Sequence, residues 1–372
     1  MSLLYVPVMG AKKGEFTALT NLPEAISEKV MPAFELPTQK PDTRLFEKSI
    51  LRTATSAGKA WAGRPAFLDI SKWKPNARTE SGIHVLEYAF SVFRSNGVPV
   101  QPIVGYDRWG DSTYAQALKN IRVSAQTTPC IRLDREAVRD DMLDVDYFSE
   151  RMNEIMDSLN VEPANCYVML DFGNVASLAV PDLIGDVERA VGVLRGLGFG
   201  MVIVAGGSMP TVVNEAVSTA NSEGCIPRIE MLAWKAVFSA SKDPAVIFGD
   251  YLIRSPNAAE NVIAPDANAK IRYTIVNQYF VVRGHSKRLE SLTLQNKRLC
   301  ATLVASAHYM GPMFSSGDAD VLNCSIGIRE IRDATTMIAV DSNHHVAAVV
   351  AEIFEHQRTV TTALSAGAGR TV

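Results

Sequence analysis

Cysteine is scarce in this sequence, and its five copies form no recognisable framework. Cys130, Cys166, Cys225, Cys300 and Cys324 are dispersed, and no two of them make a CxxC pair. An odd, scattered set is typical of reduced thiols and gives no support to a disulfide scaffold or a zinc site. Cys130 and Cys166 lie in or beside apolar runs, so we expect both to be small core residues.

Neither a strong charge excess nor a long hydrophobic run is present. The chain has 37 basic and 40 acidic residues. Bulk electrostatics therefore gives no reason to expect nucleic acid or an anionic membrane as a partner. The N-terminus lacks the basic segment and apolar stretch of a signal peptide. No window approaches the roughly 18 apolar residues of a membrane span. We expect a soluble, cytoplasmic protein.

Motifs that would reveal an enzyme class are also missing. The sequence has no Walker A loop, GxSxG elbow, HExxH pair or EF-hand loop,. No GxGxxG follows the first apolar run, and "GLGFG" at 196–200 ends a helical segment instead of opening one,. These absences leave the reaction class open.

A regular succession of short apolar runs is the main positive feature. The runs are rich in β-branched residues and bounded by Pro, Gly or Asp, as is typical of buried parallel strands,. We predict strands near residues 5–9, 30–36, 65–70, 99–105, 129–134, 167–172, 201–206 and 227–232.

Helix-length segments with amphipathic spacing separate these runs. The clearest, "VPDLIGDVERAVGVLRGLG", repeats Leu183, Val187, Val191 and Leu194 before a glycine stop,. Eight strand–helix units of about 30 residues predict a (β/α)8 TIM-like barrel over residues 1–245. Residues 246–372 would then form a C-terminal extension of a β-hairpin and helices, packed on the barrel. A doubly wound open sheet is the alternative fold.

Polar residues follow or end most of the predicted strands. In a barrel they converge on the rim where barrel enzymes keep their chemistry. The candidate catalytic residues are Glu35, Asp69 and Asp171. The candidate ligand-binding residues at the same rim are Lys13, Asp107, Arg132 and Asp134.

Two other interpretations of the acidic rim stay open. Its carboxylates suit a divalent metal such as Mg²⁺, which would activate water or clamp a phosphate. Alternatively they are structural: Asp171 would cap the next helix, and other carboxylates would pair with Arg132 or Lys13. The segment "VAGGSMP" at 204–210 would cradle a phosphate or, as we favour, use Ser208 as a helix N-cap,.

The pattern changes beyond residue 245. "IRYTIV" and "QYFVVRG" predict an antiparallel hairpin with a turn at residues 276–278, on which Arg272 and Arg283 are candidate ligand-binding residues,. Placed over the mouth, as we favour, these arginines would hold an anionic ligand. On the outer wall they would mark a partner-binding surface. Residues 314–327 are predicted as a loop. His344 and His345 are predicted to cap a helix at the surface.

Several segments together resemble the beta protein family, named after a bacteriophage T4 protein. They are "YVPVMGAKKGEFTALTNL", "FELP", "GDY" at 249–251, the "RYT…RG" hairpin and "GDAD…NHH". Lys12, Gly14, Glu15, Ala18 and Leu19 match the N-terminal pattern of that family, whereas its Trp-Arg pair before the two histidines is absent here. The resemblance implies one barrel-plus-extension unit in a phage, mobile-element or bacterial defence setting. It implies no particular reaction.

Two functions therefore compete. The carboxylate set with Arg132 and Lys13 favours a rim that binds a small ligand, with a phosphorylated ligand and a hydrolase or phosphodiesterase-like activity as one form of this hypothesis. The lack of any nucleophile or metal signature favours a non-catalytic recognition or assembly subunit that binds a partner protein in phage–host conflict.

Overall fold

The computed structural model describes residues 3–38, 45–125, 127–258 and 266–368. Its strands are β1 (Tyr5–Met9), β2 (Ala33–Glu35), β3 (Ala66–Asp69), β4 (Val100–Gly105), β5 (Cys130–Leu133), β6 (Tyr167–Asn174), β7 (Met201–Gly207), β8 (Ser222–Pro227), β9 (Val246–Asp250), β10 (Asn268–Ile275) and β11 (Gln278–Ser286). Its helices are α1 (Lys13–Thr20), α2 (Glu24–Ser27), α3 (Phe46–Trp61), α4 (Val85–Ser95), α5 (Ser112–Ser124), α6 (Arg135–Arg139), α7 (Val145–Leu159), α8 (Val180–Gly196), α9 (Val213–Ala216), α10 (Ile229–Ser241), α11 (Leu292–Ala305), α12 (Ser316–Ser325) and α13 (Ala334–Ala368).

A closed barrel of parallel strands forms the centre of the fold. Its order is β1-β2-β3-β4-β5-β6-β7-β9, and β9 returns to pair with β1 in parallel. The predicted (β/α)8 barrel is confirmed, and the first seven predicted strands overlap β1 to β7. Cys130 and Cys166 are both fully buried, as expected.

The prediction of the eighth strand at 227–232 is wrong. Residues from Ile229 onward form α10, because Ile229, Ala233, Trp234, Val237 and Phe238 are buried at helical spacing. The eighth barrel strand is β9, so the barrel continues past residue 245, where we predicted its end. Strand β8 lies outside the barrel and pairs antiparallel with β11.

Alternation along the strands divides the core in two. One set of side chains fills the barrel interior and includes Val8, Phe67, Ile103, Met169 and Ile203. The other set faces outward and packs against the surrounding helices. Successive strand residues point to opposite faces, so the residue two positions after an inward-facing core residue also points inward. At the carboxyl end of a strand, that residue lies at the barrel mouth.

The C-terminal part adds a three-stranded antiparallel sheet with the order β10-β11-β8. The predicted hairpin is confirmed, and its turn places Asn277 at φ 61°. Asn is one of the few residues that tolerate this left-handed conformation.

The prediction of a loop at 314–327 is wrong. Ser315 caps a helix there, α12, whose Val321 and Cys324 are buried.

Helix α13 joins the two parts. It packs closely on α1: a Cβ on Gly14 would lie 2.8 Å from the Thr335 carbonyl oxygen. It also contacts α12 and β10. In the described part of the chain, no helix combines the length and apolar character needed to cross a membrane.

Candidate functional site

Four charged residues line the inside of the barrel mouth. Each lies two positions beyond an inward-facing core residue: Glu35 follows Ala33, Asp69 follows Phe67, Arg132 follows Cys130 and Asp171 follows Met169. Strand β4 has Gly105 at the corresponding position, where a Cβ would collide with the Arg108 guanidinium. The glycine therefore lets Arg108 fold back over the end of its own strand.

Arg132 connects all three carboxylates. Its Nη1 donates to Asp69 Oδ2 at 2.6 Å and to Glu35 Oε1 at 3.1 Å. Its Nη2 donates to Asp171 Oδ2 at 2.6 Å and to the Tyr251 hydroxyl at 2.8 Å. We call Glu35, Asp69, Arg108, Arg132, Asp171 and Tyr251 the mouth network.

The arginines keep the Glu35 and Asp69 carboxylates ionised. Burial alone would raise the pKa of Glu35, but Arg132, Arg254 and Lys72 outweigh it and lower that pKa to about 2. Burial likewise opposes ionisation of Asp69, and Arg108 and Arg132 lower its pKa below the ordinary value. A carboxyl group without a proton cannot act as a general acid near neutral pH.

The geometry does not favour a metal among these carboxylates. In the ranges that the structure describes, no group of three or more His, Cys, Asp or Glu residues is arranged to hold a metal ion. Oxygen atoms that Mg²⁺ would need accept hydrogen bonds from arginines instead,.

The remaining candidate residues lie in four different environments. Asp107 has a side chain that is 52% exposed and touches Arg108 at 3.3 Å. Asp134 caps α6 by accepting from the Ala137 amide at 2.9 Å. Arg283 is buried and donates to the backbone carbonyls of residues 217 and 218 at 2.8 and 2.5 Å. Lys13 and Arg272, by contrast, line a cavity at the mouth.

This cavity has a volume of about 470 Å³ and lies beside the mouth network. It is enclosed by the start of α1, the loops after β7 and β9, strand β10 and helix α13. We call it the mouth cavity and define it by Lys12, Lys13, Glu15, Thr211, Arg254, Lys270, Arg272, Thr335, Ile338 and Ser342. Its volume is in the range of small-molecule sites in proteins.

Cations outnumber carboxylates around the mouth cavity. Its lining contains five basic side chains, Lys12, Lys13, Arg254, Lys270 and Arg272, and one acidic side chain, Glu15. The Glu15 carboxylate accepts from the backbone amides of Gly10 and Lys12, both at 3.1 Å. It therefore holds the loop before α1, and both of its oxygen atoms already accept hydrogen bonds.

The cations differ in whether they are paired. Arg254 donates to Glu35 at 2.6 Å, and Arg272 lies 3.0 Å from Asp341. Within the described ranges, the ammonium group of Lys270 has no hydrogen bond or ion pair, whereas Lys13 is exposed and close enough to Asp333 to lower the pKa of that carboxyl group. The hydroxyl of Ser342 is fully buried beside the cavity and has no hydrogen-bond partner among the described residues.

The surroundings of Lys270 disfavour its charged form. Burial and the neighbouring Arg272 lower its pKa to about 8, against the opposing effect of Asp341. Burial raises the pKa of Asp341 to about 6, although Arg272 acts in the opposite direction.

Sequence reasoning missed Arg254, Lys270 and Ser342. A sequence signal for Lys270 exists, because polar and apolar residues alternate along β10. Lys270 and Arg272 share one face of the strand, while Ala269 and Ile271 face the core. No comparable signal exists for Arg254 or Ser342, whose positions depend on how the loop after β9 and α13 pack.

The prediction that His344 and His345 cap a helix at the surface is wrong. Both are buried, because α13 lies between the barrel and the extra sheet. His345 lies 3.0 Å from Asp250 and 2.7 Å from the Thr274 hydroxyl. His344 lies 2.9 Å from Asp318. The two rings therefore fasten α13 to both parts of the molecule.

Ser208 caps a helix other than the predicted one. Its hydroxyl accepts from the Ile229 amide at 2.9 Å, at the start of α10, and donates to Glu230. Burial raises the pKa of Glu230 to about 7, although Arg228 opposes the change.

Comparisons with known proteins place the chain in a family. No curated protein matches it. Among solved structures, it is similar to Yersinia pestis DHPS with a pterine–sulfa conjugate, at 10% identity over 68% of this chain and 88% of the other, with a TM-score of 0.38. Similarity at that level supports no functional comparison. The family described as Beta protein matches residues 5–351, nearly the whole sequence, and the chain therefore belongs to the Beta protein family.

Proposed function

We propose that the mouth cavity binds a small anionic ligand, with a phosphate group as the best-fitting chemistry. The observation that carries this proposal is Lys270, a partly buried lysine without an ion pair among the described residues, in a cavity with five basic side chains and one carboxylate that is already engaged. Taking a cation away from water costs free energy unless an opposite charge or hydrogen bonds replace the solvent. A bound anion would supply that charge.

The hydrogen-bonding groups around the cavity suit phosphate in particular. Lysine ammonium groups are common phosphate binders, and an arginine adds planar, directional donors. The buried Ser342 hydroxyl offers one more donor or acceptor.

The mouth network supports this site without competing for the ligand. Its arginines are already engaged with Glu35, Asp69 and Asp171. Arg254 links the two regions, because it contacts Glu35 from the edge of the cavity. Hydrolysis and a role in phage or bacterial defence stay predictions.

A thermal-shift measurement tests the proposal. Potassium phosphate and pyrophosphate would be compared with potassium chloride at equal ionic strength. A ligand at 100 times its Kd stabilises the folded state by about 2.7 kcal/mol, so saturating phosphate should raise Tm clearly above the chloride control.

Matched double variants localise the effect. Lys13→Gln with Lys270→Met should abolish the phosphate-specific shift. Lys48→Gln with Lys59→Met removes two exposed lysines from α3 and should leave it intact. Equal shifts in the two double variants, or no phosphate-specific shift in the wild-type protein, would contradict the proposal.

A further inference from the structure

Strand β10 presents a cationic face to the mouth cavity. Lys270 and Arg272 share this face, while Ala269, Ile271 and Tyr273 point into the core of the C-terminal part. Lys270 lies directly opposite Arg283 in the register of the hairpin. Arg272 is tied to Asp341 and Arg283 to backbone carbonyls, so Lys270 is the one of the three without a described partner.

The surroundings of Lys270 disfavour its charged form. The charged groups on the elements around it are Arg272 on its own strand, Arg283 on β11, Lys12, Lys13 and Glu15 at the start of α1, Arg254 after β9 and Asp341 on α13. Positive charges predominate in this set. Burial, and after it the charge of Arg272, lower the pKa of Lys270 to about 8, against the opposing effect of Asp341.

A lysine with a lowered pKa is neutral, and therefore reactive, for a larger fraction of the time. Only the neutral amine is a nucleophile. At pH 7 an amine with a pKa of about 8 is neutral on the order of 100 times more often than an ordinary lysine,.

We propose that Lys270 is a nucleophilic amine that condenses with the carbonyl group of an anionic aldehyde or ketone held in the mouth cavity. This inference rests on the proposed function, because the neighbouring cations must first hold the anionic group of the ligand. The cavity contains the amine, the anion-binding groups and the unpartnered Ser342 hydroxyl in one enclosed space.

The condensation is balanced without any further reactant. The neutral Nζ of Lys270 adds to the carbonyl carbon, and a proton passes from nitrogen to the carbonyl oxygen. The resulting carbinolamine loses water and leaves a C=N bond. The Ser342 hydroxyl would hydrogen-bond the carbonyl oxygen while it gains its proton. No oxidation or reduction takes place.

Pyridoxal 5′-phosphate is a suitable probe because it combines an aldehyde with a phosphate group. The protein would be incubated with the probe and then treated with borohydride, which reduces the imine to a stable amine. Peptide mass mapping should find Lys270 labelled on the order of 10 times faster than Lys48 or Lys59. The rate should rise with pH and reach half its maximum near pH 8. Inorganic phosphate should slow it.

Two substitutions separate the amine chemistry from anion binding. Lys270→Arg keeps a cation, so it should retain the phosphate-dependent Tm shift but lose the label. Lys270→Met should lose the label and weaken the shift.

The outcomes distinguish the two proposals. Labelling spread evenly over exposed lysines, or unchanged total labelling in Lys270→Arg, would overturn the role of Lys270. If the wild-type protein shows a phosphate shift without Lys270 labelling, anion binding stands and the amine chemistry fails. If neither is seen, both fail.

Discussion

The mouth network and the mouth cavity occupy the same end of the barrel, but their charges are balanced differently. In the network, Arg132 and Arg108 contact three carboxylates over distances of 2.6 to 3.1 Å. The cavity lining contains five basic side chains and one carboxylate; Arg254 and Arg272 pair with Glu35 and Asp341 outside that lining, and Lys270 has no ion pair among the described residues. The charges of the network are paired with one another, whereas the cavity keeps one partly buried cation, Lys270, without an ion pair among the described residues.

This difference separates structural charges from charges available to a ligand. Buried ion pairs that satisfy one another add rigidity, and removing one partner is strongly destabilising. A partly buried cation without a partner destabilises the folded state, and a bound anion would relieve that cost. Substitutions in the two regions should therefore change stability in opposite directions.

The largest expected effect comes from Arg132→Met. It would leave Glu35, Asp69 and Asp171 without their shared cation, so the free energy of unfolding should fall by about 3–5 kcal/mol. Urea unfolding at pH 7 measures the change. Arg52→Met, on the exposed side of α3, is the control and should change stability by no more than about 0.5 kcal/mol. A loss below about 1 kcal/mol in Arg132→Met would contradict the account of the network.

Glu35→Gln should have the next largest effect, about 2 kcal/mol at pH 7. The folded-state pKa of Glu35 is about 2, below its ordinary value of 4.5. Its stabilising contribution is therefore complete above pH 4.5 and is lost as the pH falls toward 2. Urea unfolding between pH 7 and pH 3 should show the wild-type protein and the variant converging. A difference that stays constant over this range would contradict the assignment.

Lys270→Met should act in the opposite direction and stabilise the ligand-free protein by about 1 kcal/mol at pH 7, because it removes an unpaired cation. The folded-state pKa of about 8 lies below the ordinary value of 10.5, so wild-type stability should rise between pH 8 and pH 10.5,. The variant should lack this rise in urea unfolding. Destabilisation as large as that of Arg132→Met would contradict the comparison.

Asp107→Asn should have the smallest effect. The carboxylate is half exposed and screened by water, and Arg108 keeps its buried contact with Asp69 at 3.0 Å. We expect a change within about 0.5 kcal/mol by urea unfolding and an unchanged phosphate shift. A loss above about 1 kcal/mol would mean that Asp107 belongs to the network.

The sequence was sufficient for the barrel and for most of the network. Short apolar runs that end in a charged residue predict both a strand and the end at which its last side chain lies, which is why Glu35, Asp69, Arg132 and Asp171 could be grouped in advance. The eighth strand was missed because "PRIEML" is equally compatible with a helix start. The chain places a helix there and an extra strand before it.

The cavity could not be predicted in the same way. Arg254 lies on a loop after β9, Lys270 on a hairpin outside the barrel and Ser342 on a helix nearly 100 residues after the barrel closes. Tertiary packing alone brings these elements together. His344 and His345 were misjudged for the same reason, since one helix turn does not reveal that both of its faces are covered.

Isothermal titration calorimetry of phosphate binding near pH 8, in buffers of different ionisation enthalpy, tests the central claim most directly. An anion beside Lys270 must raise its pKa, so binding should be accompanied by uptake of up to about half a proton,. The observed heat should then depend on the buffer. In Lys270→Arg, binding should persist while its heat becomes independent of the buffer. Absence of phosphate binding, or buffer-independent heat in the wild-type protein, would contradict an anion site at Lys270.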